Sequence, residues 1–275
     1  MKFMKDNNNQ NLLNIKSMIV DFIKSDSTKK SPFVIRQKFQ KKFSRSLIKK
    51  AVNELVSTAI LAYTNHYGSN YLEISFNKEF YISEKIVLCP PNINYKTKNN
   101  EILIKINQGL AFGNGGHPTT RLSLKGIEYV SNSLNFFKTK NIDALDIGTG
   151  SGILSIASIL FGAKNALAID NDNIAIYEAS ENVKQNGLEN CIQLQKCLIN
   201  SVSKQYQLIL ANLRIPTLIE IASKIKQIID TDGIIIVSGI KKYEIQSLLN
   251  EYCKYNFKKI YQEDEFEWSM LILST

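Results

Sequence analysis

The residues best suited to chemistry form a glycine-rich turn near the middle of the chain. The segment reads Asp146-Ile147-Gly148-Thr149-Gly150-Ser151-Gly152 and directly follows an apolar run. Glycines let the backbone turn sharply and approach a ligand with no Cβ in the way. The G-x-G-x-G spacing differs from the G-x-G-x-x-G that cradles a pyrophosphate, and the acid before the first glycine would repel a phosphate. We expect Asp146, Gly148 and Gly150 to hold the amino-acid end of S-adenosylmethionine, whose ammonium group suits a carboxylate.

A second acid stands where a ribose would lie. Asp170 ends the apolar run Ala166-Leu167-Ala168-Ile169, 22 residues after Gly148. A carboxylate at the end of this strand can accept hydrogen bonds from both ribose hydroxyls. The alternative is that Asp170 caps the helix beginning near Asn173, but Asp172 is better placed for that. We therefore predict that Asp170 binds the ribose.

An amide ends a later apolar run, Gln207 to Ala211. Because ligands of open parallel sheets bind outside the carboxyl ends of the strands, Asn212 is expected to face the reaction centre. Its amide could orient the methionine part of the cofactor or a substrate amine; the alternative is a turn Asn that bonds its own backbone. Amino methyltransferases acting on bases or glutamine usually show Asn/Asp-Pro-Pro-aromatic here. Ala211-Asn212-Leu213 lacks that motif, which disfavours those substrates.

These residues need a sheet that brings strand ends together. From Glu101 onward, strands alternate with helices, a pattern typical of doubly wound α/β domains. The predicted strands are 144–147, 165–169, 191–195, 207–211 and 233–238, and the predicted helices are 152–161, 173–186, 214–229 and 241–254. Residues 257–261 and 267–273 are too close for a crossover helix and predict an antiparallel hairpin. The prediction is an α/β Rossmann-like methyltransferase sheet of seven strands with a C-terminal antiparallel hairpin.

The first 80 residues predict a smaller domain. Apolar spacing indicates a helix over 12–24, Ser31-Pro32 opens a second helix, and Ser44 caps a third. Short strands follow at 60–64 and 71–76, with His66 in the turn between them. Three helices and a hairpin outline a winged helix. We predict a winged-helix-like partner-binding domain over 1–80, a linker over 81–100 marked by Cys89-Pro90-Pro91, and a methyltransferase domain over 101–275.

The positive charge of the chain is concentrated in this first segment. Residues 1–80 contain 14 Lys or Arg and 6 Asp or Glu, a net charge of +8, whereas residues 81–275 contain 20 and 19, a net charge of +1. Such asymmetry indicates a polyanionic partner such as RNA, DNA or a ribosome. A lysine-rich genome and a module that only contacts protein or dimerises are the alternatives.

Composition also constrains the environment of the protein. Four cysteines without a C-x-x-C pair, and only His66 and His117 beside them, indicate reduced thiols and neither a disulfide framework nor a metal site. No apolar run approaches the ~18 residues that span a bilayer, and the start lacks the pattern of a secretory signal. We expect a cytoplasmic protein with no membrane partner.

The segment Gly109-Leu110-Ala111-Phe112-Gly113-Asn114-Gly115-Gly116-His117-Pro118-Thr119-Thr120 is the most distinctive of the chain. Together with Asp146 to Leu154, Ala168-Ile169-Asp170, Asn186-Gly187, Ala211-Asn212-Leu213 and Ser238-Gly239-Ile240, it closely resembles the PrmA family. That family methylates amino groups of the large-subunit ribosomal protein L-eleven. The resemblance covers residues ~101–275.

The resemblance implies cofactor contacts at Thr120, Gly148, Asp170 and Asn212. It also implies that the loop from Phe112 to Thr120 is a wall over the cofactor, with glycines that permit closure and exclusion of water. His117 would fix this loop or assist a proton transfer. No general base is evident, so we assign no catalytic residue.

The sequence departs from the family at several places. Asn114 and Gly116 stand where the family usually has threonines, Thr149 replaces a common cysteine, and the family's N-terminal substrate-binding domain is an α/β module. Three hypotheses follow: a methyltransferase for amino groups of a protein such as a ribosomal protein, a methyltransferase for RNA, DNA or a small molecule, and a nucleic-acid-binding regulator with a degenerate domain. The intact motifs argue against the third.

Overall fold

The computed structural model describes residues 2–25, 28–58, 60–66, 69–75, 78–107, 112–113, 115–139 and 141–275, with backbone only for 2–9, 64–66, 69 and 139. The chain divides into two compact units, Met1–Lys78 and Glu79–Thr275. None of the described helices is both long enough and apolar enough to span a bilayer.

The first unit contains three helices and an antiparallel strand pair. These are α1 (Lys2–Lys24), α2 (Pro32–Phe39), α3 (Arg45–Ser57), β1 (Leu61–His66) and β2 (Ser69–Ile74). The predicted caps are confirmed, because the hydroxyls of Ser31 and Ser44 each accept a backbone N–H at 3.3 Å, from Val34 and Leu47. Helix α1 begins ten residues before the predicted start, since residues 2–11 are mostly polar and carry no apolar pattern.

Buried side chains from every helix hold the first unit together. Ile15 and Ile19 of α1, Ile35 of α2, Leu55 of α3 and Leu72 of β2 are at most 2% exposed. Their spacing on α1 is the i, i+4 repeat of one helical face. The segment before α2 also joins the sheet, because Lys30 bridges Leu72 with a backbone N–O distance of 2.8 Å. The element order agrees with the predicted one, and the assignment to the winged helices stays a prediction.

The second unit is built on a seven-stranded sheet. Its strands are β6 (Asp143–Ile147), β7 (Asn165–Asp170), β8 (Ile192–Lys196), β9 (Tyr206–Asn212), β10 (Ile229–Lys241), β11 (Lys258–Glu265) and β12 (Trp268–Ser274). The order across the sheet is β11-β12-β10-β9-β6-β7-β8. Strands β8, β7, β6, β9 and β10 pair in parallel, and β12 pairs antiparallel with both β10 and β11. The predicted Rossmann-like sheet with its C-terminal hairpin is confirmed.

Helices cover both faces of this sheet. They are α4 (Pro118–Ser133), α5 (Phe136–Thr139), α6 (Ile153–Leu160), α7 (Asn173–Gln185), α8 (Ile215–Glu220), α9 (Ala222–Ile228) and α10 (Ile245–Cys253). The predicted helix over 214–229 is two helices that meet at Ile221, and a short 3-10 turn over Lys242–Glu244 precedes α10. Two apolar cores, one on each face, bury the central strands β6, β9 and β12 almost completely, which explains their near-continuous apolar runs.

The predicted linker over 81–100 is wrong in its first half. A small sheet of β3 (Phe80–Tyr81), β4 (Ile86–Cys89) and β5 (Ile102–Lys105) lies in the second unit, and all four residues of β4 are buried. A four-residue apolar run gives too short a signal to separate a buried strand from a connector. This sheet lies against the loop that follows it, because a Cβ at Gly115 would clash with the Leu88 side chain of β4.

Candidate functional site

The glycine turn lies at the carboxyl end of β6, as predicted. Gly148, Gly150 and Gly152 have φ values of +69°, +56° and +80°. The amides of Gly148 and Thr149 both donate to the Ile169 carbonyl at 2.9 Å. These bonds tie the turn to the end of β7, so the two strand ends form one edge.

Asp146 lies behind this turn and is 1% exposed. Its Oδ2 accepts hydrogen bonds from the hydroxyls of Thr149 at 2.6 Å and Ser155 at 2.7 Å, and from the Ser155 amide at 3.2 Å. Its Oδ1 has no hydrogen-bond partner among the described residues. Burial raises the pKa of Asp146, and the three hydrogen bonds oppose that rise. A cation placed at Oδ1 would stabilise the ionised form.

Asp170 ends β7 and is half-buried. Its Oδ2 accepts from the Gly150 amide and its Oδ1 from the Asp172 amide, each at 3.0 Å. Asp172, and not Asp170, caps α7 by accepting the Ile174 amide at 2.9 Å. A carboxylate has about four acceptor sites, so both oxygens of Asp170 retain capacity for ligand hydroxyls.

The loop before α4 is attached to the glycine turn. The Phe112 carbonyl accepts the Ser151 amide at 3.0 Å, and the Ser151 hydroxyl donates to the Gly113 carbonyl at 2.9 Å. A Cβ at Gly150 would clash with the Phe112 carbonyl oxygen, so this close approach requires glycine. Of the predicted loop, residues 109–111 and Asn114 lie outside the described part of the chain.

His117 joins this loop to α4. Its Nδ1 lies 3.3 Å from the Thr119 amide, which makes His117 the N-cap of the helix. Its ring centroid lies 5.2 Å from that of Phe112 and 4.9 Å from that of Trp268. Of the two roles considered for His117, fixing the loop and assisting a proton transfer, these contacts support the first. The adjacent Thr120 is fully buried, and its Oγ1 has no partner among the described residues.

Asn212 occupies the corresponding end of β9. Because β9 pairs in parallel with β6, with Ala211 opposite Ile147, the amide lies at the same edge as the glycine turn. The Asn212 Oδ1 is buried and, within the described ranges, accepts no hydrogen bond. An unsatisfied buried amide oxygen is expected where a ligand donates.

Two residues that the sequence analysis did not single out complete the site. Trp268 begins β12 opposite Lys241, is 5% exposed, and its Nε1 lacks a partner among the described residues. Arg121 is buried in α4; its Nε lies 2.8 Å from Glu265 Oε1, and its guanidinium donates to the Gly116 carbonyl at 2.5 Å. Signals for these two residues in the sequence are weak. Trp268 is marked only as the one tryptophan of the chain, and Arg121 lies 144 residues from its partner Glu265.

A cleft opens beside these strand ends. Its walls are mainly apolar and suit a flat aromatic ring, with Asp170 at one side; the lining consists of Ile147, Gly148, Ile169, Asp170, Asn171, Cys197, Leu198, Ile199, Leu213, Thr217 and Ile221. Leu198 is 61% exposed at its rim, which places apolar surface where a ring could cover it.

Gly239 shapes the edge next to Asn212, and its replacement gives a testable prediction. It has φ +86°, and a Cβ there would clash with the Leu213 carbonyl oxygen. Gly239→Ala should destabilise the protein by about 2 kcal/mol or more and weaken ligand binding, because backbone strain and a backbone clash add. Gly187→Ala is the matched control: its φ is +67° but nothing lies within 4 Å. Equal midpoints of thermal unfolding for the two variants would contradict the prediction.

Strand order, glycine turn and strand-end polar groups together define a class I methyltransferase fold. The sequence model of the family "Ribosomal protein L11 methyltransferase (PrmA)" matches residues 74–275, and the chain belongs to that family. The predicted resemblance is confirmed, and it begins some 27 residues earlier than the expected ~101, because the β3–β5 sheet is part of it.

Known proteins of this family are similar over most of the second unit. The curated ribosomal protein L11 methyltransferases of Heliobacterium modesticaldum and Geotalea daltonii are 32% and 31% identical over 72% and 70% of this chain, which covers 61% and 62% of theirs. The chain thus spans less than two thirds of their length. A crystal structure of the ribosomal protein L11 methylase from Lactobacillus delbrueckii subsp. bulgaricus matches with a TM-score of 0.65 and 30% identity, over 72% of this chain and 98% of that one.

Proposed function

We propose that the second unit is an S-adenosylmethionine-dependent methyltransferase that modifies amino groups of a ribosomal protein. The observation that carries the proposal is a concentration of unpaired polar atoms. Among the described residues, five buried side-chain N or O atoms lack a hydrogen-bond partner, and four of them belong to Thr120, Asp146, Asn212 and Trp268. Each such atom costs about 1–3 kcal/mol when left unpaired, so their clustering at one edge supports a ligand rich in polar groups.

The residues present fit this cofactor. The apolar cleft suits adenine, and Asp170 at its side can accept the two ribose hydroxyls. Oδ1 of Asp146 and the backbone carbonyls of Gly148 and Gly150 suit the ammonium of the methionine part, because the amides of both glycines are already bonded to Ile169 and Asp170. The Thr120 hydroxyl can bind the same end from α4.

When bound, the cofactor supplies an electrophilic methyl group on a sulfonium. The chain's own part is to hold the acceptor nitrogen in line and to exclude water. The rings of Phe112, His117 and Trp268 contact one another and form an aromatic wall. The buried Asn212 oxygen can accept a hydrogen bond from an amine. A lysine, with a reference pKa of about 10.4, must lose its proton first, and an apolar pocket favours the neutral amine.

Membership of the family supports a ribosomal protein as the acceptor. Relatives that match this chain are named for a ribosomal protein substrate, and the aromatic wall supports an amine. The positive charge of residues 1–80 supports a contact between the first unit and RNA, for instance on the ribosome.

Asp146 allows the binding mode to be tested with two ligands. Asp146→Asn keeps the shape of the side chain and removes its charge, so affinity for S-adenosylhomocysteine should fall at least about tenfold. Affinity for 5′-methylthioadenosine, which lacks the amino-acid end, should stay the same. Titration calorimetry measures both, and equal losses for the two ligands would show that Asp146 acts only by holding the turn.

Methyl transfer itself distinguishes the candidate functions. The protein is incubated with methyl-labelled cofactor and a ribosome-containing extract, and protein and RNA are then separated. Label in a ribosomal protein at acid-stable amino groups supports the proposal. Label in RNA would instead establish an RNA methyltransferase, the second candidate, which the positive charge of the first unit supports. No label, with no binding of S-adenosylhomocysteine, would overturn both.

A further inference from the structure

The acidic residues of the first unit neutralise only part of its basic surface. Lys16 and Lys50 both pair with Glu54, and Lys29 pairs with Glu73 at 3.4 Å. By contrast, Arg36, Arg45 and Lys49 are exposed and have no acidic partner among the residues that the structure describes. The unit therefore has a local excess of positive charge.

These three cations surround one groove. Arg45, Lys49 and Asn53 lie four residues apart on the exposed face of α3, and Arg36 comes from α2. The buried Ile48 and Val52 form the floor of the groove. Two of the four arginines of the chain thus line a single surface of a unit that is otherwise rich in lysine.

Aromatic surface lies at the same groove. Tyr63 of β1 lines it and is 49% exposed. Phe33 of α2 is 54% exposed, and the guanidinium of Arg36 lies 5.2 Å from the centre of its ring. Proteins that bind single-stranded nucleic acids use exposed aromatic rings beside cations, because bases stack on the rings and phosphates contact the cations.

We propose that this groove, lined by Arg36, Arg45, Lys49, Asn53 and Tyr63, binds a single-stranded segment of RNA. Arg45 and Lys49 contact successive phosphates along α3, a base stacks on Tyr63 over the apolar floor, and the Asn53 amide reaches a base edge. The aromatic and apolar lining favours an unpaired strand over a duplex, whose bases are stacked within the helix and not available to Tyr63. The proposal concerns only the first unit and does not depend on methyl transfer by the second.

The test uses the full chain and a fluorescein-labelled single-stranded 12-mer of oligoadenylate, with anisotropy measured from 50 to 200 mM KCl. The double variant Arg45→Ala/Lys49→Ala should bind at least about tenfold more weakly at low salt. Its slope of log affinity against log salt should be smaller in magnitude by about 1.4, that is, about 0.7 for each phosphate that the protein no longer neutralises. Tyr63→Ala should weaken binding about fivefold or more and leave the slope unchanged, because stacking releases no counterions.

The matched control removes the same charge elsewhere on the unit. Lys16→Ala/Lys29→Ala deletes two cations that are already paired with Glu54 and Glu73, and it should bind the 12-mer as the unsubstituted protein does. Circular dichroism checks that every variant is folded, and binding of S-adenosylhomocysteine by the same samples reports separately on the second unit.

Equal losses in the two double variants would show that net charge, and not this groove, binds RNA. Binding of a labelled polyglutamate peptide that Tyr63→Ala abolishes, with no RNA binding, would overturn the proposal in favour of an acidic protein partner.

Discussion

Replacing Asp170 with alanine is expected to lower the affinity for S-adenosylhomocysteine by about two orders of magnitude. An ionised carboxylate that accepts two ribose hydroxyls contributes about 1.5–3 kcal/mol for each bond. The same side chain accepts the Gly150 amide at 3.0 Å, so its loss also releases the glycine turn. Titration calorimetry with the full chain measures the change, and methyl transfer at saturating cofactor shows how much activity returns.

Asp172 provides the matched control for Asp170. It lies two residues further on and caps α7 through the Ile174 amide at 2.9 Å. Asp172→Ala should cost about 1 kcal/mol of stability through the lost cap and leave cofactor affinity within about threefold. If Asp172→Ala weakened binding as much as Asp170→Ala, the carboxylates would act through the turn and not through the ribose.

Replacing Arg121 with alanine should give the largest loss of stability among the site variants. Arg121 is buried, and breaking a buried ion pair costs about 3–5 kcal/mol; the 21% exposure of the Glu265 side chain places the expectation at the lower end. A loss of about 3 kcal/mol corresponds to about 6–12 °C in unfolding temperature for a unit of this size. Because Trp268 is the one tryptophan of the chain, its fluorescence follows the second unit selectively.

Arg121→Ala should also lower kcat by about tenfold or more, since the guanidinium holds the Gly116 carbonyl of the loop that touches the glycine turn. Lys125→Ala is the control, one helical turn further along α4. Lys125 pairs with Glu263 of the same strand at 2.9 Å, but both side chains are about one third exposed, so its loss should cost less than about 1 kcal/mol. Equal effects of the two substitutions would contradict a specific role for Arg121.

The sequence allowed the sheet and the strand-end residues to be predicted because both depend on local signals. Apolar runs separated by helical patterns identify parallel strands, and the last residue of such a strand lies at the ligand edge whatever the details of packing. This reasoning placed Asp170 and Asn212 at one edge, and the spacing of the glycine turn placed Asp146 beside them. It also resolved the roles of Asp170 and Asp172 from their positions relative to α7.

The parts that could not be predicted depend on contacts between distant segments. The pairing of Arg121 with Glu265 joins residues 144 positions apart, and no local pattern marks either as buried. The short strand β4 looks like a connector until β5 is seen beside it. The bonds of Phe112 and Gly113 with Ser151 likewise form only once the sheet is assembled, so the sequence indicated the loop through family resemblance and not through geometry.

The position of β12 in the sheet has a consequence for how the protein is made. This strand follows β11 along the chain, yet it lies between β10 and β11 and pairs with both. While residues 268–274 are still to be synthesised, β10 therefore has an unpaired edge along the apolar residues 234–237, the kind of surface that aggregates. Because β12 is synthesised after β10, the edge of β10 stays uncovered until β12 is made. Slow synthesis of residues 268–274 should therefore increase dependence on chaperones.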